Sequence, residues 1–488
     1  MFFFFAALIT ATWSCGRGRP GPSTIVLISV DTLRADHLGV YGHHRFTSPI
    51  LDAFAAQGVV FEDASATTAW TLPSHASMLT GLFPLRHGVV TANNALSEEV
   101  ETLAGWFDQA GWETAAIVNA IWLKRERYGL TRDFQKYLFV EEADYHRRSP
   151  SSWATDQAIE WVGAQRDRPL FLFLHYYDVH ADYASLPEYE RLFLSPYEGR
   201  ADGSAWQIER ANFADSHIAH SLEEPDSRPC SFGSKEKPRR IDAEMERVEF
   251  NAEDVQHLEE LYDAGIRQLD TELGRLLAFL DSSGRGDDTL VVITSDHGEE
   301  FLEHGRVGHF LTTHQQSLRV PLIMRGPGLP AGIRVDTPVS LVDLAPTLLA
   351  LAGLPGRDDL DGLDLSGLWR DSDPRPFSQR YLYGEASGGI QEQERLPGVY
   401  PIFTSIRQGD FKLIVRRLGP DAEYLLYDLA EDPEERRDIA SQHRDRVTLL
   451  AGLLEQRLAE YPAAKATGEA VELDPAEIEE LRALGYAP

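Results

Sequence analysis

Thr24-Ile25-Val26-Leu27-Ile28-Ser29-Val30, followed at once by Asp31-Thr32-Leu33-Arg34-Ala35-Asp36-His37, decides how the rest of the chain reads. A continuous apolar, β-branched run of this length predicts a strand buried on both faces, as in a parallel sheet. Ligands of open α/β sheets collect at the carboxyl ends of the strands, which is where Asp31 falls. The same grammar recurs. Thr114–Asn119 predicts a short strand ending at Asn119, and Pro169–Tyr177 a third strand with Asp178-Val179-His180 beyond it. Thr289–Ser295 predicts a fourth, ending in Asp296-His297, and Val320–Met324 is a fifth apolar run. Helical spacing between them, over 48–58, 99–110, 254–280 and 343–351, makes the class α/β.

A second stretch, Trp70-Thr71-Leu72-Pro73-Ser74-His75-Ala76-Ser77-Met78-Leu79-Thr80-Gly81, predicts a short helix. Pro73 suits a first turn, and Gly81 suits the left-handed residue that closes a helix. Thr71 is then expected just before the first turn, facing unpaired N–H groups and the positive end of the helix dipole. A hydroxyl there is either an N-cap or a nucleophile facing an anion. The strand ends and this helix entry together supply Asp31, Thr71, Asp296 and His297, a donor set for one catalytic divalent metal.

Composition bounds the function. The chain has 488 residues, 43% hydrophobic, with a formal net charge of -31. That charge argues against nucleic acid or an anionic membrane as the main partner, so an anionic substrate must be drawn in by a metal or a local basic group. Two cysteines, Cys15 and Cys230, supply no disulfide framework and no zinc-finger spacing. Phe2–Trp13 is apolar but too short to span a bilayer. It fits the apolar part of a secretory signal without the usual basic start. Cys15 follows small residues, as at a bacterial lipoprotein cleavage site, although Thr12 and Trp13 match that pattern poorly. The expectation is an exported protein of the periplasm or cell envelope, touching membrane only through a lipid anchor at Cys15.

The domain reading follows the texture: a leader over 1–22, a catalytic domain over 23–370, and a C-terminal α+β subdomain with its tail over 371–488. Residues 183–251 are polar and aperiodic, an insertion or lid. Short alternating segments near Leu382, Ile402–Ile406, Phe411–Val415 and Tyr424–Tyr427 predict a small antiparallel sheet, covered by a helix over 445–461. A last helical piece is expected over 475–484.

The motifs, in order, resemble the sulfatase branch of the alkaline phosphatase superfamily. They are VDTLRADHLGVYG (30–42), TLPSHASMLTG (71–81), LHYYDVHADY (174–183), SDHGEEFLEHG (295–305), RVPLIMRGPG (319–328) and DLAPTLLALAG (343–353). RQGDFKLI (407–414) and LYDLAEDPEE (426–435) resemble the family's C-terminal subdomain. The resemblance implies an alkaline-phosphatase-like sandwich, with a large mainly parallel sheet flanked by helices and a small C-terminal antiparallel subdomain with a helix. It implies Asp31, Asp296 and His297 as metal ligands and His180 as the substrate histidine.

The departures set the chemistry. Sulfatases carry Cys or Ser where Thr71 stands, within C/S-x-P-S-R, and oxidise it to formylglycine; threonine has no such route, and His75 replaces the arginine. Thr32 stands where the family has a second Asp. A family Gly-Lys-Trp-His stretch aligns with 118–121, so its sulfate-gripping Lys and His are absent. The family Lys near the Asp-His motif is also missing, with His309 or Arg306 in its place. A threonyl sulfate lacks the exit that a formylglycine hydrate has, whereas a threonyl phosphate can be displaced at phosphorus. The first expectation is therefore a phosphoester hydrolase or phosphotransferase with Thr71 as nucleophile and His180 and His309 on the oxygens or the leaving group. His75, Asn119 and Lys124 are further substrate-binding candidates. The alternatives are a sulfuric ester hydrolase without formylglycine and an inactive sulfatase-like binding protein. One imidazole among oxygens favours Zn or Mn, with Ca the usual ion of sulfatases. The substrate is a small-molecule, glycan or lipid-headgroup ester. Glu299, Glu300 and Glu303 read as a solvated face, and Lys412 as a strand residue able to reach the site.

Overall fold

A computed structural model describes residues 21–124, 126–140, 149–165, 168–205, 207–208, 211, 248–309, 312–370, 375–386, 402–417, 422–461 and 469–470. The leader with Cys15, most of the insertion, Arg125, Cys230 and the expected helix over 475–484 lie outside them.

The central strand is β1 (Thr24–Val30), buried at every position. Its neighbours show why the run is apolar throughout. Ile25 and Leu27 enter one core, and Val26, Ile28 and Val30 enter the other. The sheet is completed by β2 (Val59–Ser65), β3 (Glu113–Val118), β4 (Lys136–Phe139), β5 (Leu170–Tyr176), β6 (Thr289–Ser295), β7 (Arg319–Arg325), β8 (Ile333–Val335) and β9 (Val339–Ser340). Its order is β8-β2-β7-β6-β1-β5-β3-β4, with β9 also on β2. The half from β6 to β4 is parallel, whereas β7 runs antiparallel to both β6 and β2. This is the mainly parallel sheet expected, and β1 and β6 match their expected bounds to the residue.

Helices cover both faces. The first core is closed by α2 (Thr71–Thr80), α3 (Leu103–Gln109) and α6 (Leu344–Leu351). The second is closed by α1 (Pro49–Ala55), α4 (Pro150–Ala164) and the long α5 (Ala252–Ser282). Several elements escaped the sequence reading, β2, β4 and α4 among them. The acidic pair Glu62-Asp63 interrupts the apolar run of β2, and α4 begins on a polar Ser149-Pro150 whose capping role is plain only afterwards: Ser149 accepts from the Ser152 N–H.

The C-terminal sheet is antiparallel, β10 (Leu382–Ala386), β11 (Phe403–Gln408), β12 (Phe411–Arg416) and β13 (Glu423–Asp428) in sequence order. Helix α7 (Arg444–Glu460) packs on it through Leu450 and Leu454, as expected. Among the described residues no helix is long and apolar enough to cross a membrane.

Candidate active site

Register brings the acidic strand ends together. β1 and β6 are parallel neighbours with Val30 opposite Ser295, so Asp31 and Asp296 emerge side by side. His297 follows in the turn. Its Nδ1–H donates to Gly298 O at 2.9 Å, which leaves the Nε2 lone pair turned to the carboxylates. That Nε2 lies 3.3 Å from Asp296 Oδ2 and 3.9 Å from Asp31 Oδ1.

All three side chains are fully buried, and Asp31 Oδ1, Asp296 Oδ2 and His297 Nε2 have no hydrogen-bond partner. Buried polar atoms left unpaired are costly, and three converging acceptors repel one another. A divalent cation relieves both costs. Its ligands at about 2.0–2.4 Å would sit about 3–4 Å from each other, the spacing found here. The electrostatics agree. Burial raises the pKa of both carboxyls, and the Asp31 charge adds to the rise at Asp296. Burial works against protonation of His297, yet Asp296 and Asp31 prevail and raise its pKa.

Among the described residues, two other groups of histidines and carboxylates converge, and each already contains its cation. Asp263 meets His37, His43 and the Arg45 guanidinium. Glu435 meets His314, near His304, and the Lys412 ammonium at 2.7 Å.

The nucleophile candidate belongs to the first group. Thr71 is buried at the head of α2. The N-cap position belongs to Trp70, so Thr71 is the first helical residue and not the expected cap. Its hydroxyl makes no hydrogen bond of ordinary geometry, yet lies close enough to Asp31 to favour that carboxylate's charged form. Helix α2 is pinned from below. Ser74 Oγ donates to Asp296 O at 2.6 Å, and Gly81 closes the helix at φ 71°. His75 donates Nδ1–H to Thr71 O at 2.8 Å and accepts from Ser29 Oγ at 3.0 Å, so both ring nitrogens are engaged within the protein.

His180 and His309 stand together, ring centroids 4.9 Å apart, with His309 4.6 Å from His297. His180 stacks on Tyr177 at 4.3 Å, and burial drives its pKa down to about 3. Burial also drives the His309 pKa well down. Asn119 donates its backbone N–H to His175 Nδ1 at 3.4 Å. Lys124 holds its ammonium 4.8 Å over the Phe139 ring.

Three readings change. Glu299 and Glu300 are buried, not a solvated face, and Glu303 is taken by Arg34 at 2.5 Å. Glu299 Oε1 lies 2.9 Å from His309 Nδ1, and burial lifts the Glu299 carboxyl to about 8 against the opposing His297 charge. Lys412 does not reach the site; it is sealed in the contact between the C-terminal sheet and residues 312–318. His175 went unnoticed, although a histidine interrupting the apolar run of β5 was the available signal. At Thr32, where the family pattern has Asp, φ is 56°, an unusual conformation for a β-branched residue. Its N–H reaches Asp296 Oδ1 at 3.3 Å.

The chain resembles known proteins along most of its length. A family model described as Sulfatase matches residues 23–354, and one described as N-sulphoglucosamine sulphohydrolase, C-terminal, matches 303–463. Arylsulfatase K of Mus musculus is 24% identical over 468 residues, covering 91% of this chain and 80% of that protein. The N-acetylglucosamine-6-O-sulfatase of Bacteroides thetaiotaomicron is 25% identical over 501 residues, covering 90% and 86%. Among solved structures, the phosphonate monoester hydrolase of Agrobacterium radiobacter superposes with a TM-score of 0.70 at 24% identity, over 93% of this chain and 99% of that one. A protein solved with its substrate D-glucosamine-2-N,6-O-disulfate superposes with a TM-score of 0.71 at 22% identity, over 92% and 99%. The family match spans every strand of the large sheet and the whole buried Asp-Asp-His cluster, and the chain belongs to the sulfatase family of the alkaline phosphatase superfamily.

Proposed function

We propose that this sulfatase-family hydrolase of sulfuric or phosphoric esters acts on phosphate esters, with Thr71 as the nucleophile. One observation carries the reading: the buried Thr71 hydroxyl lies beside Asp31 of the metal-type cluster and makes no hydrogen bond of ordinary geometry. Asp31 Oδ1, Asp296 Oδ2 and His297 Nε2 would hold one divalent ion, Zn or Mn by donor chemistry and Ca by family habit. When bound, that ion supplies Lewis-acid polarisation of the ester and favours ionisation of the hydroxyl.

The residues themselves account for the rest. Thr71 Oγ attacks phosphorus as the bond to the leaving oxygen breaks, and the hydroxyl proton ends on that oxygen, which is released as the alcohol. His180 and His309 hold the non-bridging oxygens or return a proton to the departing alkoxide. Water then attacks the threonyl phosphate at phosphorus as the Thr71 oxygen leaves; one water proton returns to that oxygen, and phosphate (or, from a diester, a phosphate monoester) is released. Transfer to an acceptor alcohol is the same step with another nucleophile. His75 holds Thr71 O, which sets the entry of α2 against the sheet.

Domain limits of 23–370 and 371–488 accompany this reading, as do an exported site of action and a glycan, small-molecule or lipid-headgroup substrate. Sulfate-ester hydrolysis is the second reading, favoured by the sulfatase names of the relatives. The test compares aryl phosphate diester, phosphate monoester and sulfate ester turnover by metal-loaded protein and Thr71→Ala. Phosphoester turnover lost in the mutant supports the proposal. Sulfate turnover that depends on Thr71 replaces it with the second reading. Phosphoester turnover that survives in Thr71→Ala removes the nucleophile.

A further inference from the structure

The large sheet contains one side chain that its apolar surroundings do not explain. His175 is fully buried in β5, within the run Leu170-Phe171-Leu172-Phe173-Leu174-His175-Tyr176. Placing an imidazole there forfeits its hydration, a cost met only through its hydrogen bonds. Both ring nitrogens are used, and the partners define the tautomer. The Asn119 N–H can only donate, so Nδ1 accepts it at 3.4 Å. The proton therefore sits on Nε2, which lies 3.1 Å from Asp31 Oδ2.

The consequence falls on the other carboxylate oxygen. With Oδ2 held from behind, Oδ1 is left facing the Asp296 and His297 donors, with no hydrogen bond of its own. His75 stands edge-on to His175, ring centroids 5.1 Å apart, and its Nδ1 lies 3.6 Å from Asp296 Oδ2. A second layer of imidazoles thus backs both carboxylates. His175 makes its side-chain hydrogen bond to Asp31 Oδ2.

We infer that His175 is a positioning residue for the metal site: its Nε2–H fixes the Asp31 carboxylate so that Oδ1 is presented to the cation. The inference rests on the metal-site reading above. Partners of this kind behind a metal ligand raise affinity by about 10–100-fold.

The test reads metal affinity, not turnover. Full-length protein is stripped with chelator and titrated with Zn²⁺ and Mn²⁺ by calorimetry, and the melting shift at saturation is recorded alongside. Three substitutions are compared. The amide nitrogen of His175→Gln can occupy the Nε2 position and donate to Oδ2; that of His175→Asn falls short at the Nδ1 position; His175→Leu has no donor. The expected order is wild type close to Gln, with Asn and Leu about 10–100-fold weaker and a smaller melting shift. Should Leu fail to fold, the Gln and Asn pair decides alone. Equal affinity across wild type, Gln and Asn overturns the positioning role and leaves the metal site standing. Absence of metal binding by the wild type overturns the metal site, and the inference with it.

Discussion

Replacing Lys412 by Met should destabilise the protein strongly, and most of that loss should vanish in acid. The Lys412 ammonium lies 2.7 Å from Glu435 Oε1, and the two side chains are 2% and 0% exposed. Lys412 also donates to Gln315 Oε1 at 3.0 Å. Glu435 Oε2 collects the Gln315 N–H at 2.8 Å and His314 Nδ1 at 3.0 Å. Burial pushes the Glu435 carboxyl up, but the Lys412 charge and the His314 contact bring it down to about 2. For Lys412 burial wins, and its pKa is lowered despite the partner. Such a pair adds little over an apolar replacement of both residues, yet removing one member strands the other, at a cost of about 3–5 kcal/mol. The sign of the pH effect follows from the carboxyl. A pKa depressed from 4.5 to about 2 gives stability that is complete above pH 4.5 and drains away as the pH falls toward 2. That stability amounts to about 3 kcal/mol, at 1.36 kcal/mol per unit. Urea unfolding of wild type, Lys412→Met, Glu435→Gln and the double variant, followed by tryptophan fluorescence from pH 7 to pH 3, measures it. Each single variant should lose about 3–5 kcal/mol at pH 7, the double variant much less than the sum, and the Met variant should converge on wild type as the pH falls. A Met variant within about 1 kcal/mol of wild type at pH 7, or a deficit constant with pH, refutes the reasoning.

Two further outcomes test the site. Glu299→Ala removes the buried partner of His309 Nδ1, a contact between neutral groups worth about 0.5–1.5 kcal/mol, so kcat for an alkyl ester should fall roughly 2- to 13-fold. A nitrophenyl ester, whose leaving group needs no proton, should hardly notice; equal losses on both would end the idea that this pair serves the leaving group. Gly298→Ala would set a Cβ 2.0 Å from Gln316 O, a backbone atom that cannot step aside. The turn carrying His297 must then shift, and calorimetry should show weakened metal binding; unchanged affinity would mean that the turn is more pliant than its contacts indicate.

The Lys412 pair marks where sequence reading stops. RQGDFKLI announced a strand with a lysine in it, and β12 carries it. Nothing local announced that Glu435 and His314 would close over that lysine from two other segments. The same holds for Glu299 and Glu300. In a run of acidic residues after Asp296-His297 they resemble a solvated face, and only the meeting of Arg34, Tyr183 and residues 308–312 around them makes them buried. Their partners, His309 and Thr312, lie 10 and 12 residues further along the chain.

What the chain determines by itself is therefore of two kinds. Doubly buried strands require long, mainly apolar runs, so β1, β5 and β6 are visible as soon as the residues are written down, and so are the carboxylates and imidazole that follow β1 and β6. Proline and glycine likewise bracket α2, because each restricts the backbone whatever surrounds it. The tertiary structure alone decides which atoms meet. Asp31 and His175 are 144 residues apart, and one residue of slip in the register of β1 against β5 would turn His175 away from Oδ2. Hydrogen-bond partners, the tautomers they impose and the burial that shifts every pKa at the site are properties of contacts between distant segments, and no local pattern encodes them.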